Sequence, residues 1–200
     1  MHVCSRKPDS SCSENFRSSR LFGGADTPPQ ESIVARLTKL LQFLDLRYPE
    51  EGWHAYLAGD APDWPRIAVA GHSQGGGMAA LLAKRMTVGR VMLLSGPPDW
   101  VMPGRDPAPW LGAPGATPSD RWYGLYHRDE QLALTLQRAY AALGLTPSKI
   151  RVVSLAPAAE VTSSFDAYHV SVVADRVTPK AADGRPSYVA DWGFLLGHNR

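Results

Sequence analysis

The sequence has little cysteine, no long apolar run and almost no net charge, and each shortage removes a class of explanation. Only two of its 200 residues are cysteine, Cys4 and Cys12, and no Cys or His stands near them at zinc-binding spacing. A disulfide closing their short loop and two idle thiols are both open readings. The six histidines are scattered and form no H-E-x-x-H pair, so no metal site is expected. The longest apolar runs, such as Val91–Leu94, fall far short of the roughly 18 residues that span a bilayer. No membrane span is expected. Lys and Arg total 21 against 19 Asp and Glu, a formal charge of +2. That balance does not suit phosphate-backbone binding as the main activity, so nucleic acid is not an expected partner. Met1–Arg20 is polar and lacks the apolar stretch of about 7–15 residues found in signal peptides. A Cys4–Cys12 pair would point the other way, to an oxidising compartment, so cytoplasmic and secreted locations both stay open.

What is present suffices for one folded domain, since 44% of the residues are hydrophobic and a chain of this length can bury a full core. Residues 1–30 are rich in Ser, Arg, Gly and Pro without periodicity and read as an irregular segment. The domain is expected over 31–200. It opens with a helix across Glu31–Tyr48, where Ile33, Val34, Leu37, Leu40, Leu41 and Leu44 recur at helical spacing, Ser32 can cap and Pro49 stops the run. Ile67–Ala70 is short and wholly apolar, the pattern of a strand buried on both faces. Thereafter strands at Val91–Ser95, Trp122–Tyr126 and Ile150–Leu155 alternate with helices at Gly77–Met86, Gln131–Leu143 and Tyr188–Leu196. This alternation predicts an α/β fold, a mostly parallel sheet with flanking helices. Two long loops interrupt it, Gly96–Asp120 and Pro157–Arg185. Loops of that length are usually functional or lid-like.

Chemistry concentrates at Gly71-His72-Ser73-Gln74-Gly75, a G-x-S-x-G motif between an apolar strand and a helix. A turn that tight gives its serine a strained backbone and needs small neighbours, here Gly71 and Gly75. Ser73 then stands at a helix N-terminus, where the dipole and unpaired N–H groups favour developing negative charge. The Gln74 N–H is the natural oxyanion donor. A plain tight connection or a phosphate cradle is the bland alternative, but neither G-x-x-x-x-G-K-[ST] nor dinucleotide spacing is present.

On these residues the chain resembles the α/β-hydrolase superfamily of esterases, lipases and acyl hydrolases, over about Glu31 to the C-terminus. The resemblance implies a triad in chain order Ser, Asp/Glu, His. Asp129, just after the third strand, holds the usual acid position; its neighbour Glu130 could be the one that points inward, and Asp99 occupies an alternative acid location. His169 is the one histidine between the last strand and the terminal helix and becomes the expected base. His72 is expected to support the elbow by packing or hydrogen bonding, while His54, His127 and His198 read as surface residues. Asp166 and Asp175 flank His169 as second-tier groups or loop solubilisers. Trp100 and Trp110, in the loop over 96–120, read either as a cap and acyl-pocket wall or as ordinary core tryptophans.

The expected activity is hydrolysis of a carboxylic ester or related small acyl compound through an acyl-Ser73 intermediate, with no cofactor. The resemblance also implies several strands and a second oxyanion donor before the elbow. The sequence offers one convincing helix there, so the fold is expected to be N-terminally abbreviated, either a truncated piece or a minimal variant. An exposed sheet edge then invites a homodimer. The competing function is a hydrolase-like binding domain without turnover.

Overall fold

A computed structural model describes residues 28–102, 104–158 and 166–198. Most of the irregular segment expected over 1–30, with Cys4 and Cys12, lies outside the described residues.

Helix α1 (Ile33–Arg47) begins where Ser32 turns extended and its hydroxyl accepts the Ala35 N–H at 3.2 Å. This caps one of the N–H groups that a helix start leaves unpaired. The apolar stripe does not reach the sheet. It faces the 3-10 turn Trp53–Tyr56 and the two-residue ladder of Leu57–Ala58 with Ala61–Pro62. Only Leu41 on it is buried, while Leu40, Phe43 and Leu46 are exposed, Leu46 at 85%.

The sheet comprises β1 (Ala68–His72), β2 (Arg90–Leu94), β3 (Trp122–His127) and β4 (Ile150–Val153). They lie in that order and all are parallel. Parallel neighbours need crossovers. Helix α2 (Gln74–Arg85) makes the first, the long segment 95–121 the second, and α3 (Ala133–Ala142) the third. Period-two alternation along β2 divides the core. Val91 and Leu93 join the cluster under α2 and α3 with Ala80, Leu136 and Tyr140, whereas Met92 joins Leu125, Val153, Tyr188 and Leu195 on the other face. That second face is covered by α4 (Ala167–Ser171) and α5 (Val189–Leu196). No helix among the described residues is long and apolar enough to cross a membrane.

The first strand departs from expectation. It starts one residue later than read from sequence and is not buried on both faces, because Ala68 and Ala70 are exposed. Among the described residues β1 pairs only with β2, and α5 does not extend across it. The result is an apolar hollow of about 200 Å³ between Ala70, Met92, Leu94, Trp192, Leu195 and Leu196. An apolar strand sequence alone does not separate an edge strand from a central one.

The core leaves no room at Gly124, where an added Cβ would lie 2.5 Å from Tyr140 Cε2. The Tyr140 hydroxyl is buried and donates to the Leu93 carbonyl at 3.0 Å, so the ring cannot retreat without giving up that bond. Overpacking of this kind costs about 1–3 kcal/mol. Gly124→Ala is therefore expected to lower the unfolding free energy in urea by that amount, while Leu46→Ala, on the exposed side of α1, is expected to change it by less than about 0.5 kcal/mol.

Candidate functional site

At the end of β1 the chain turns straight into α2 through Ser73, whose φ of 54° and ψ of −120° lie outside the helical and strand regions. Such a backbone costs a β-carbon-bearing residue roughly 1–3 kcal/mol and persists only where the surroundings over-determine it. Here they do. The Ser73 N–H donates to the Leu94 carbonyl at 2.9 Å, and the Ser73 carbonyl accepts the Gly76 N–H at 2.9 Å. A Cβ on Gly71 would collide with the Gly75 carbonyl, and one on Gly96 would collide with the Ser73 carbonyl. At Gly75 a Cβ would meet nothing within 4 Å. The steric requirement thus falls on Gly71 and Gly96, and the expectation that Gly75 supplies the room is corrected. Gln74 is the first residue of α2, so its N–H has no partner within the helix.

His169 is buried on α4, in the second long loop. Asp166 fixes this short helix from both sides. One oxygen caps it by accepting the Tyr168 N–H at 3.0 Å, and the other accepts the Gln131 N–H at 2.7 Å. Asp175, by contrast, pairs with Lys180 in an exposed position. The His169 ring lies 4.6 Å from that of His72, and the His72 Nε2–H donates to the His169 carbonyl at 2.9 Å. The base candidate is thereby tied to the residue just before Ser73. Burial is the main influence on His72 and lowers its pKa, reinforced by the neighbouring His169 and opposed by the hydrogen bond to the His169 carbonyl and by Glu130. A neutral donor ring suits the support role read from sequence.

The carboxylate that reaches His169 is Glu130, with Oε2 at 2.5 Å from Nδ1 and a side chain 0% exposed. Its Oε1 accepts the Ser95 hydroxyl at 2.9 Å and the His127 N–H at 3.1 Å. Asp129, the acid expected first, is 47% exposed and lies 3.4 Å from Arg128 Nε. The reason is the turn after β3, where the Glu130 N–H bonds the His127 carbonyl at 3.3 Å. This folds residue 130 back over the strand end and leaves 129 facing outward. The alternative acid Asp99 stands elsewhere, near Gly77 of α2. Burial raises its pKa, opposed by a hydrogen bond from Trp110.

His127 also departs from expectation. It is fully buried rather than on the surface. Its Nδ1 accepts the Asp129 N–H at 3.0 Å and its Nε2 faces the Leu155 carbonyl at 3.0 Å, which fixes the Nε2–H tautomer. His54 and His198 are exposed, as read.

The front of segment 96–120 lies against the Ser73 end through Gly96. Trp100 sits in a two-residue ladder with Pro107, and Trp110 packs on the main core. Beyond it, Lys84 Nζ donates to the Leu111 carbonyl at 2.7 Å and also to that of Ala113, while the Ala116 and Thr117 N–H groups bond the Lys84 and Ala83 carbonyls at 3.0 and 3.1 Å. The rear of the loop is thus fastened to the far end of α2. There a second hollow of about 410 Å³ opens between Lys84, Ala113, Pro118, Trp122 and Leu143. Among the described residues no cluster of His, Cys, Asp or Glu is arranged to hold a metal ion.

Ser95 and Glu130 are the site residues that sequence reasoning missed or ranked second. Two adjacent carboxylates, Asp129 and Glu130, differ only in which way a turn points them. Ser95 carried one faint signal, its place at a strand end directly before Gly96.

Comparison of the chain with protein-family models, with curated proteins and with solved structures yields no match.

Two outcomes follow from this geometry. Gly96→Ala is expected to destabilise the fold severely in denaturant titration, while Gly75→Ala is expected to be neutral or to stabilise α2 by up to about 1 kcal/mol. For Asp99 the folded carboxyl is less acidic than its ordinary value of 3.8, so the folded state binds the proton more tightly than the unfolded one. Wild type must then lose stability relative to Asp99→Asn as pH rises through and above that value. Paired thermal melts between pH 4 and about 7 check the sign.

Proposed function

We propose that the chain is an α/β-hydrolase-like serine hydrolase that cleaves a carboxylic ester or related small acyl compound. The observation that carries the reading is the buried Glu130–His169 pair, held through His72 to the strained turn of Ser73. In this scheme Ser73 Oγ bonds the acyl carbon as its proton passes to His169 Nε2. The Gln74 N–H receives the oxyanion. Collapse breaks the acyl–oxygen bond of the leaving group, which takes the proton back from His169. Water then adds to the acyl carbon with His169 again accepting a proton; the bond from the acyl carbon to Ser73 Oγ breaks, Oγ takes that proton back from His169, and the acid is released. Glu130 Oε2 accepts Nδ1–H throughout, keeping Nε2 as the basic nitrogen and stabilising the imidazolium. Asp129 has no part in it.

A second reading, a hydrolase-like fold that binds without turnover, is favoured by one observation. Neither described hollow is lined by Ser73, His169 or Glu130.

Labelling by a fluorophosphonate probe, with turnover of short p-nitrophenyl esters alongside, decides between them. Wild type and Asp129→Asn are expected to label alike, and Ser73→Ala not at all. Glu130→Gln is expected to lose roughly 10⁴-fold in kcat, the typical effect of disabling a triad acid. A folded wild-type chain that neither labels nor turns over ester overturns the hydrolase reading in favour of the second.

A further inference from the structure

We infer that Ser95 positions the Glu130 carboxylate for His169, an inference that rests on the hydrolase reading above. Ser95 directly follows β2, has a φ of 43° and is fully buried. Its N–H donates to the Leu125 carbonyl at 2.7 Å, which locks the residue in the left-handed region between two strands. Glycine tolerates that region at no steric cost, and the very next residue is glycine. A serine kept there, with its hydroxyl aimed at Glu130 Oε1, points to a use for the hydroxyl.

That use follows from the shape of the acceptor. Glu130 reaches inward on a flexible side chain, and ordering such a chain is entropically unfavourable. Two donors, Ser95 Oγ–H and His127 N–H, converge on one oxygen. With Oε1 so occupied, the carboxylate plane is set and Oε2 is left to face His169 Nδ1. Both oxygens then accept from N–H or O–H donors, the arrangement an acceptor-only carboxylate requires. His127 supplies a backbone donor that every substitution but proline retains, so Ser95 is the point at which the side-chain part of the arrangement can be loosened. In this scheme the Ser95 hydroxyl bonds Glu130 and not the reacting atoms; it acts through Glu130.

The test compares full-length wild type with Ser95→Gly, which removes the hydroxyl and relieves the backbone. Two readouts are taken: the far-downfield proton signal of His169 Nδ1–H in NMR, assigned by its loss in Glu130→Gln, and the kcat and KM for a p-nitrophenyl ester. The expected result is a weakened or upfield-shifted signal with kcat reduced about tenfold and KM unchanged, the scale of one charge-assisted hydrogen bond. An unchanged signal, or an unchanged kcat beside a changed signal, overturns the inference. A KM effect without a kcat effect does the same. If wild type itself hydrolyses no ester while the signal still responds to Ser95→Gly, the hydrolase reading fails and the hold of Ser95 on Glu130 stands. Should Ser95→Gly not fold, Ser95→Cys, close in shape and a weaker donor, carries the same comparison.

Discussion

The closeness of three backbone segments at the end of β1 is the constraint on which the structure turns. Gly71 and Gly75 approach within the space of a missing methyl group, and Gly96 does the same against Ser73. These approaches set where α2 leaves the sheet, how near β2 ends to that point, and the direction in which Ser73 is presented. The backbone of Ser73 is unfavourable alone and is held by the Leu94 and Gly76 hydrogen bonds on either side. A larger residue at 71 or 96 would have to move a strand or a helix.

Around that turn the sheet gathers groups that water would otherwise solvate. A carboxylate buried as fully as that of Glu130 is destabilising unless it is hydrogen-bonded on both oxygens. It is, by groups from the ends of β2 and β3 and from α4. His127 is likewise satisfied at both nitrogens, and His72 spans from the elbow to the backbone of His169. The polar cluster joins the C-terminal ends of three strands to a helix of only five residues. Such a short helix has little stability of its own, and Asp166 supplies the fastening.

Much of this was legible beforehand, for reasons that differ by residue. Ser32 as cap, the α1 periodicity and the alternation of strands and helices are local signals, and they placed four strands and the main helices within a few residues. Ser73 stands out in the sequence because the motif around it is tight, whereas His169 follows only from the triad order that the resemblance implies. Asp129 was preferred to Glu130 because residue type and chain position cannot say which way a turn projects adjacent side chains. His127 was misjudged because it lay outside the expected loop, and a strand-end histidine becomes buried only when a later helix folds over it. That β1 has only one strand neighbour among the described residues is hidden in the sequence, because apolar content reports burial of a segment, not which of its sides has a neighbour.

The segment that follows β2 begins against Ser73 through Gly96 and ends fastened by Lys84, Ala116 and Thr117 at the opposite end of α2. It therefore runs alongside the helix like a splint fixed at both ends. A splint cannot swing as a hinged flap without tearing several bonds at once. Between the two fastenings the Trp100–Pro107 ladder is itself held against α3, from which Arg138 donates to the Gly104 carbonyl at 3.4 Å.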